Sequence, residues 1–199
     1  MRIIHVYRIS DVISDDELIK ILDLEKPVAI IDGFEIMSAN IPWINSMKAP
    51  PTWEKLVKGL ERIAEKKNLG FIRPARLAEK VVKYTDYLLN KMKPKTIVLR
   101  NMCLPLSMFE RDLLVYWIGL AIADSGADTL VIVSLPNTMY FTLKAALEKK
   151  KRNKTRWSYI EIDNGKAITV RREWNLLSLK LTGITWDKNI CLIQDAENK

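Results

Sequence analysis

The chain has 199 residues, 48% hydrophobic and 28% charged, a balance that predicts one packed domain and excludes an intrinsically disordered chain. Its net charge of +8 favours nucleic acid or another acidic partner. Cys103 and Cys191 are too few for a disulfide framework, and the most apolar stretch, 113–123, is too short to span a membrane. We therefore expect a cytoplasmic protein with no membrane partner.

Strand-like apolar runs and helical stretches alternate through the first half of the chain. A strand is predicted at 3–7, followed by a helix that begins after Ser14, which has Glu17 at the capping-box spacing. The apolar run 28–31 predicts a parallel strand buried on both faces. After a proline-rich loop, Thr52 is expected to cap a helix with one apolar face.

The same alternation continues in the second half. A very short strand is predicted at 71–72, and strands at 96–99 and 130–134 flank a helix that is apolar on most sides. A basic helix follows, and then Asn164-Gly165 separates two strand-like runs, which is the strongest hairpin signal in the chain. The order predicts an α/β fold with a mainly parallel central sheet, helices on both faces and a C-terminal antiparallel hairpin.

Several short motifs within this layout resemble parts of one protein family. They are IIDGFE at 30–35, the helix and turn at 61–70, TIVLRN at 96–101, the turn and strand at 125–134, and the hairpin at 159–170. In order and content they resemble the RecA/RadA/KaiC superfamily of ATPases. The resemblance implies a RecA-like three-layer core over residues 1–172, with residues 173–199 as a C-terminal extension that includes a possible strand pair.

Two features that serve ATP chemistry in that family are missing. None of the seven glycines belongs to a G-x-x-x-x-G-K-[ST] loop, whose backbone wraps the phosphates. Residues 9–16, at the corresponding position, contain three aspartates and neither glycine nor lysine. In the family, the strand that corresponds to 96–99 ends in an acidic residue that orients magnesium-bound water. In this chain Arg100 and Asn101 follow that strand instead. The resemblance therefore implies a degenerate paralogue that is not an enzyme and takes no cofactor.

A basic segment gives the densest functional signal. Six of the eight residues at 149–156 are basic, and such a cluster releases counterions from a phosphate backbone, while Trp157 has the ring to stack on a base. The alternative is a solvated helix end with Trp157 in the core. The candidate nucleic-acid contacts are Lys149, Lys150, Lys151, Arg152, Lys154, Arg156, Trp157, Arg171 and Arg172.

Other candidate residues have either a functional or a structural interpretation. Trp43 and Trp53, near the proline-rich loop, and Trp174, near the C-terminus, belong either to a partner-docking patch or to the core. His5, the single histidine, lies in a predicted strand and is expected to be structural. A metal site would require carboxylates to converge at the carboxyl ends of the strands, the candidates being Asp11, Asp15, Asp16, Asp32 and Glu35.

These observations predict a non-catalytic accessory protein of DNA recombination or repair. It would bind single- or double-stranded DNA through the basic segment, a recombinase-like protein partner, or both. Two alternatives stay open at this point. One is a scaffold whose basic segment meets an acidic protein, and the other is a metal-dependent nuclease or phosphoesterase that uses the carboxylates.

Overall fold

A computed structural model describes residues 1–10, 12–151 and 154–170 of the chain. The strands are β1 (Arg2–Ile9), β2 (Val28–Asp32), β3 (Thr96–Arg100), β4 (Thr129–Val133), β5 (Arg156–Asp163) and β6 (Lys166–Thr169). The helices are α1 (Asp15–Ile21), α2 (Gly33–Ser38), α3 (Pro51–Lys66), α4 (Arg76–Met92), α5 (Met108–Asp124) and α6 (Asn137–Lys151), with one 3-10 turn at Pro42–Asn45. Within the described ranges, no helix has the length and apolar character needed to cross a lipid bilayer.

All six strands belong to one sheet with the order β2-β3-β4-β1-β5-β6. The first five strands pair in parallel, and β5 and β6 form an antiparallel hairpin. The five parallel strands therefore begin at one end of the sheet, here called the amino end, and finish at the other, the carboxyl end. This confirms the predicted α/β class, the mainly parallel sheet and the C-terminal hairpin.

Alternate strand residues face opposite sides of the sheet and feed two apolar clusters. The larger cluster joins one face to α3, α4, α5 and α6, with Ile97 and Leu130 fully buried in it. The smaller cluster lies on the other face, where Leu18 and Leu22 at α1 pack with Ile4. Helices therefore lie on both faces, as predicted.

Helix α5 is the centre of the larger cluster. Eleven of its 17 residues are buried, which confirms the helix expected to be buried on most sides. Trp117 packs edge-on against Trp53 with 6.2 Å between ring centroids. A Cβ added at Gly119 would lie 2.7 Å from Cβ of Ala146, so the glycine permits the close approach of α5 and α6.

Two local predictions are confirmed in atomic detail. Ser14 Oγ accepts from the Glu17 backbone N–H at 3.3 Å, and Glu17 Oε2 accepts from the Ser14 N–H at 2.7 Å, which completes the capping box of α1. Asn164 and Gly165 have φ values of 48° and 68°, as the tight turn between β5 and β6 requires.

Other local predictions were wrong. Thr52 does not cap α3: the helix begins at Pro51, so Thr52 lies in its first turn, and Thr52 Oγ1 accepts a hydrogen bond from Trp117 Nε1 at 3.0 Å. Residues 71–72 form no strand, and Ile72 is 87% exposed. Strand β2 lies at an edge of the sheet, so Ile30 is only half-buried. The predicted extension at 173–199 lies outside the described residues.

Candidate functional site

The carboxyl end of the sheet carries a polar cluster made by Asp32, Arg100, Asn101 and Asp15. Asp32 and Arg100 are register partners on β2 and β3, so their side chains start from neighbouring positions. Arg100 Nε donates to Asp32 Oδ2 at 2.7 Å, and Asn101 Nδ2 donates to the same oxygen at 2.8 Å. Asn101 has a φ of 53°, a left-handed conformation that asparagine tolerates better than most residues.

The second oxygen of Asp32 is also occupied. Oδ1 accepts from the backbone N–H groups of Phe34 and Glu35 at 2.9 and 3.0 Å, so Asp32 is the N-cap of α2. Burial alone would raise the pKa of this carboxyl, but its hydrogen bonds from Glu35, Asn101 and Arg100 hold the pKa below the ordinary value. Asp32 is therefore an ionised group that the protein itself satisfies.

Arg100 connects this cluster to the start of α1. Its Nη1 and Nη2 atoms donate to the Asp15 carboxylate, in addition to the bond from Nε to Asp32. Asp15, Asp16 and Glu17 all lie in the first turn of α1, where negative side chains interact favourably with the helix dipole. In the family resemblance, phosphate would bind at this helix terminus. Here the terminus carries three carboxylates of the protein itself, which would repel a phosphate.

The described carboxylates that the alternative nuclease interpretation would use form no group placed to hold a metal ion. Among the described residues, no group of three or more His, Cys, Asp or Glu side chains is placed to hold a metal ion. Asp15 and Asp32 meet through the guanidinium of Arg100, which is a cation of the protein itself. Asp11 lies outside the described residues.

Candidate nucleic-acid-binding residues of the basic segment lie at the amino end of the sheet. Helix α6 ends there and β5 begins there, so Lys149, Lys150, Lys154 and Arg156 share one end of the molecule. Lys150, Lys154 and Arg156 are exposed. Lys150 Nζ forms an ion pair with Asp124 at 3.2 Å, a surface contact that contributes about 1 kcal/mol at most.

Arg2 is a further member of this group that the sequence did not reveal. It lies directly opposite Arg156 in the parallel register of β1 and β5, and both side chains are exposed. The backbone joins the same strands, because Arg156 N–H donates to the Met1 carbonyl at 3.0 Å. We call Arg2, Lys149, Lys150, Lys154 and Arg156 the amino-end cluster.

Trp157 is half-buried, with its ring packed against helix α6 and the larger apolar cluster. Two residues of α6 contact this ring. Tyr140 meets it edge-on with 5.5 Å between ring centroids, and Lys144 Nζ lies 5.6 Å from the Trp157 ring centroid. Trp157 Nε1 is buried, without a hydrogen-bond partner in the described structure. The structure therefore places Trp157 against the core, which is the alternative that the sequence left open.

The remaining candidate residues divide into buried core residues and residues at the surface. Trp53 is 1% exposed and belongs to the core in place of the predicted docking patch. Trp43 is 42% exposed and packs on Tyr87 with 4.6 Å between ring centroids, so it alone of the two presents surface. His5 is buried and stacks on Tyr140 at 4.7 Å. Arg152, Arg171, Arg172, Trp174 and the side chain of Lys151 lie outside the described residues.

No family model, no curated protein and no solved structure matches this chain.

Proposed function

We propose that this protein is a RecA-like accessory factor that binds DNA at the amino end of its sheet and does not use ATP. The observation that carries the proposal is the amino-end cluster, in which cations from β1, from α6 and from β5 with the residues before it lie at the same end of the sheet, although Arg2 and Arg156 are far apart in the chain. Five basic side chains at one end match a polyanion that extends past them, because each neutralised phosphate releases counterions.

The strand order supports the RecA-like part of the proposal. Strand β1 lies between β4 and β5, with β3 and β2 beyond β4, and this order resembles that of the family's core sheet. The polar cluster supports the absence of ATP chemistry. Arg100 and Asn101 stand where the family's strand ends in an acidic residue, and Arg100 is paired with Asp15 and Asp32. A role in recombination or repair beside a recombinase-like partner follows from that resemblance.

DNA binding by the full-length chain, followed by fluorescence anisotropy over a salt series, tests the proposal. The variant K149A/K150A/K154A/R156A removes four cations of the amino-end cluster. If each contacts one phosphate, the slope of log K against log salt becomes shallower by about 3.6. The matched control is K55A/K58A/R62A/K66A, which removes four exposed cations from α3 and changes the net charge equally.

Loss of salt-sensitive binding in the first variant alone supports the proposed site. Equal weakening by both variants shows that net charge, rather than this surface, attracts DNA. No binding by the wild-type chain at low salt overturns the proposal and favours an acidic protein as the partner.

A further inference from the structure

Within the described ranges, the amino-end cluster lacks the platform of exposed aromatic rings that proteins use to bind single strands. Such proteins combine a basic groove with exposed aromatic rings, each worth about 1–3 kcal/mol per stacked base. Trp157, the aromatic residue nearest the cluster in sequence, is held between Tyr140 and Lys144. Trp157 is half-buried against α6, so the most exposed contact groups of this surface, among the described residues, are cations.

The exposed aromatic residues of the described structure lie elsewhere. Phe34 and Trp43 are 46% and 42% exposed, and both follow β2, which ends at the carboxyl end and lies on the far edge of the sheet from β5. Tyr7 is 38% exposed, and lies beyond the middle of β1 toward its carboxyl end. None of these three rings belongs to the surface that Arg2 and Arg156 form.

Arg2 and Arg156 make that surface suitable for a dense line of phosphates. Neighbouring strands lie about 4.8 Å apart, and register partners point to the same face, so the two guanidinium groups start side by side. Arginine binds phosphate through several donors with fixed geometry. A duplex carries one charge per about 1.7 Å of axis, about twice the density along one of its strands.

We infer that the amino-end cluster recognises the phosphate backbone of double-stranded DNA, without base contacts and in preference to single strands. Cation-only recognition gains from the higher charge density of the duplex and forgoes the stacking energy that a single strand would offer. The inference rests on the proposed function, since it specifies the DNA that the same surface binds.

The test compares a duplex with an oligothymidylate strand of equal length, using anisotropy with the full-length chain at several salt concentrations. We expect duplex binding to be tighter by about ten-fold or more at low salt. R2A/R156A is expected to make the duplex salt slope shallower by about 1.8. W157L, which removes the aromatic ring and keeps an apolar side chain against α6, is expected to leave both affinities within about two-fold, because the ring contacts no base.

Equal or tighter binding of oligothymidylate overturns the inference and leaves the proposed function standing. A selective loss of single-strand affinity in W157L also overturns it, since that result would show stacking. Failure of the wild-type chain to bind either DNA rejects the proposed function itself. A duplex preference that R2A/R156A removes supports the inference.

Discussion

Arg100 and Asp32 face each other at the carboxyl ends of two neighbouring parallel strands, joined by a 2.7 Å hydrogen bond from Nε to Oδ2. The Asp32 side chain is 7% exposed and that of Arg100 is 25% exposed. A pair so placed contributes to stability chiefly because each partner would be costly to leave alone. This contact therefore belongs to the architecture of the sheet, at an end where α/β proteins commonly bind ligands.

Asp32→Asn is expected to lower the free energy of unfolding by about 2 kcal/mol. The amide oxygen still caps α2, but the half-buried guanidinium of Arg100 loses one of its two carboxylates. Chemical denaturation measures the difference. Asp16→Asn, at an exposed position in the first turn of α1, is the control and should change stability by less than about 0.5 kcal/mol. Equal effects of the two changes would contradict the structural role of Asp32.

The stabilisation from Asp32 is expected to depend on pH in the acid range. Because the folded state lowers the pKa of Asp32, its contribution is complete above the ordinary carboxyl pKa of about 4 and is lost as pH falls through the folded value. The stability difference between wild type and Asp32→Asn should therefore narrow as pH falls from about 7 to 3. Denaturation at several pH values measures this, and a constant difference would contradict it.

Gly33→Ala is expected to destabilise the carboxyl end of the sheet. A Cβ at Gly33 would lie 2.4 Å from the carbonyl oxygen of Asn101, a backbone atom that cannot move aside as a side chain does. We expect a loss of about 2–3 kcal/mol in denaturation experiments. Gly70→Ala is the matched control, because a Cβ there meets nothing within 4 Å and should leave stability within about 0.5 kcal/mol.

The contact between α5 and α6 can be tested with a pair of substitutions. Gly119→Ala should cost about 1–3 kcal/mol, because its Cβ would lie 2.7 Å from Cβ of Ala146 and 3.1 Å from Cδ1 of Leu143. Ala146→Gly removes the first clash and should recover about 1 kcal/mol in a double-mutant cycle. Additive effects of the two substitutions on the free energy of unfolding would contradict a direct contact between positions 119 and 146.

Magnesium-ATP is expected to leave the thermal midpoint of the protein unchanged within about 1 °C. A ligand at 100 times its Kd adds about 2.7 kcal/mol to stability, which would raise the midpoint of a domain of this size by several degrees. The carboxylates in the first turn of α1 and the pairing of Arg100 give phosphates no favourable site there. A magnesium-dependent rise of several degrees would contradict the proposed loss of ATP binding.

Local features of this fold were predictable because their interactions span few residues. The capping box joins Ser14 to Glu17, and the hairpin turn needs only Asn164 and Gly165. Thr52 is a case in which a tertiary contact overrides a local preference, because its hydroxyl accepts a hydrogen bond from Trp117 on another helix instead of capping α3. Residues 71–72 had strand-like composition, but no neighbouring strand pairs with them in the described sheet.

The site depends on contacts that sequence patterns do not reveal. Arg100 and Asp15 are 85 positions apart, and their ion pair requires the carboxyl end of β3 to meet the start of α1. Arg2 joins Arg156 only because β1 and β5 are neighbours, a fact of strand order rather than of spacing. The basic run at 149–156 was visible in composition, whereas the packing of Trp157 against the core depends on Tyr140 in α6.

The parallel strands also hold the two ends of the sheet at a fixed separation. A strand of five residues, such as β3, spans about 16 Å, with the cations of the amino end on one side and exposed Phe34, directly after β2, on the other. Under the proposed function, DNA bound at the amino end would leave the carboxyl end uncovered. A protein partner would then have a separate surface to bind, and the domain would act as a tether between the two.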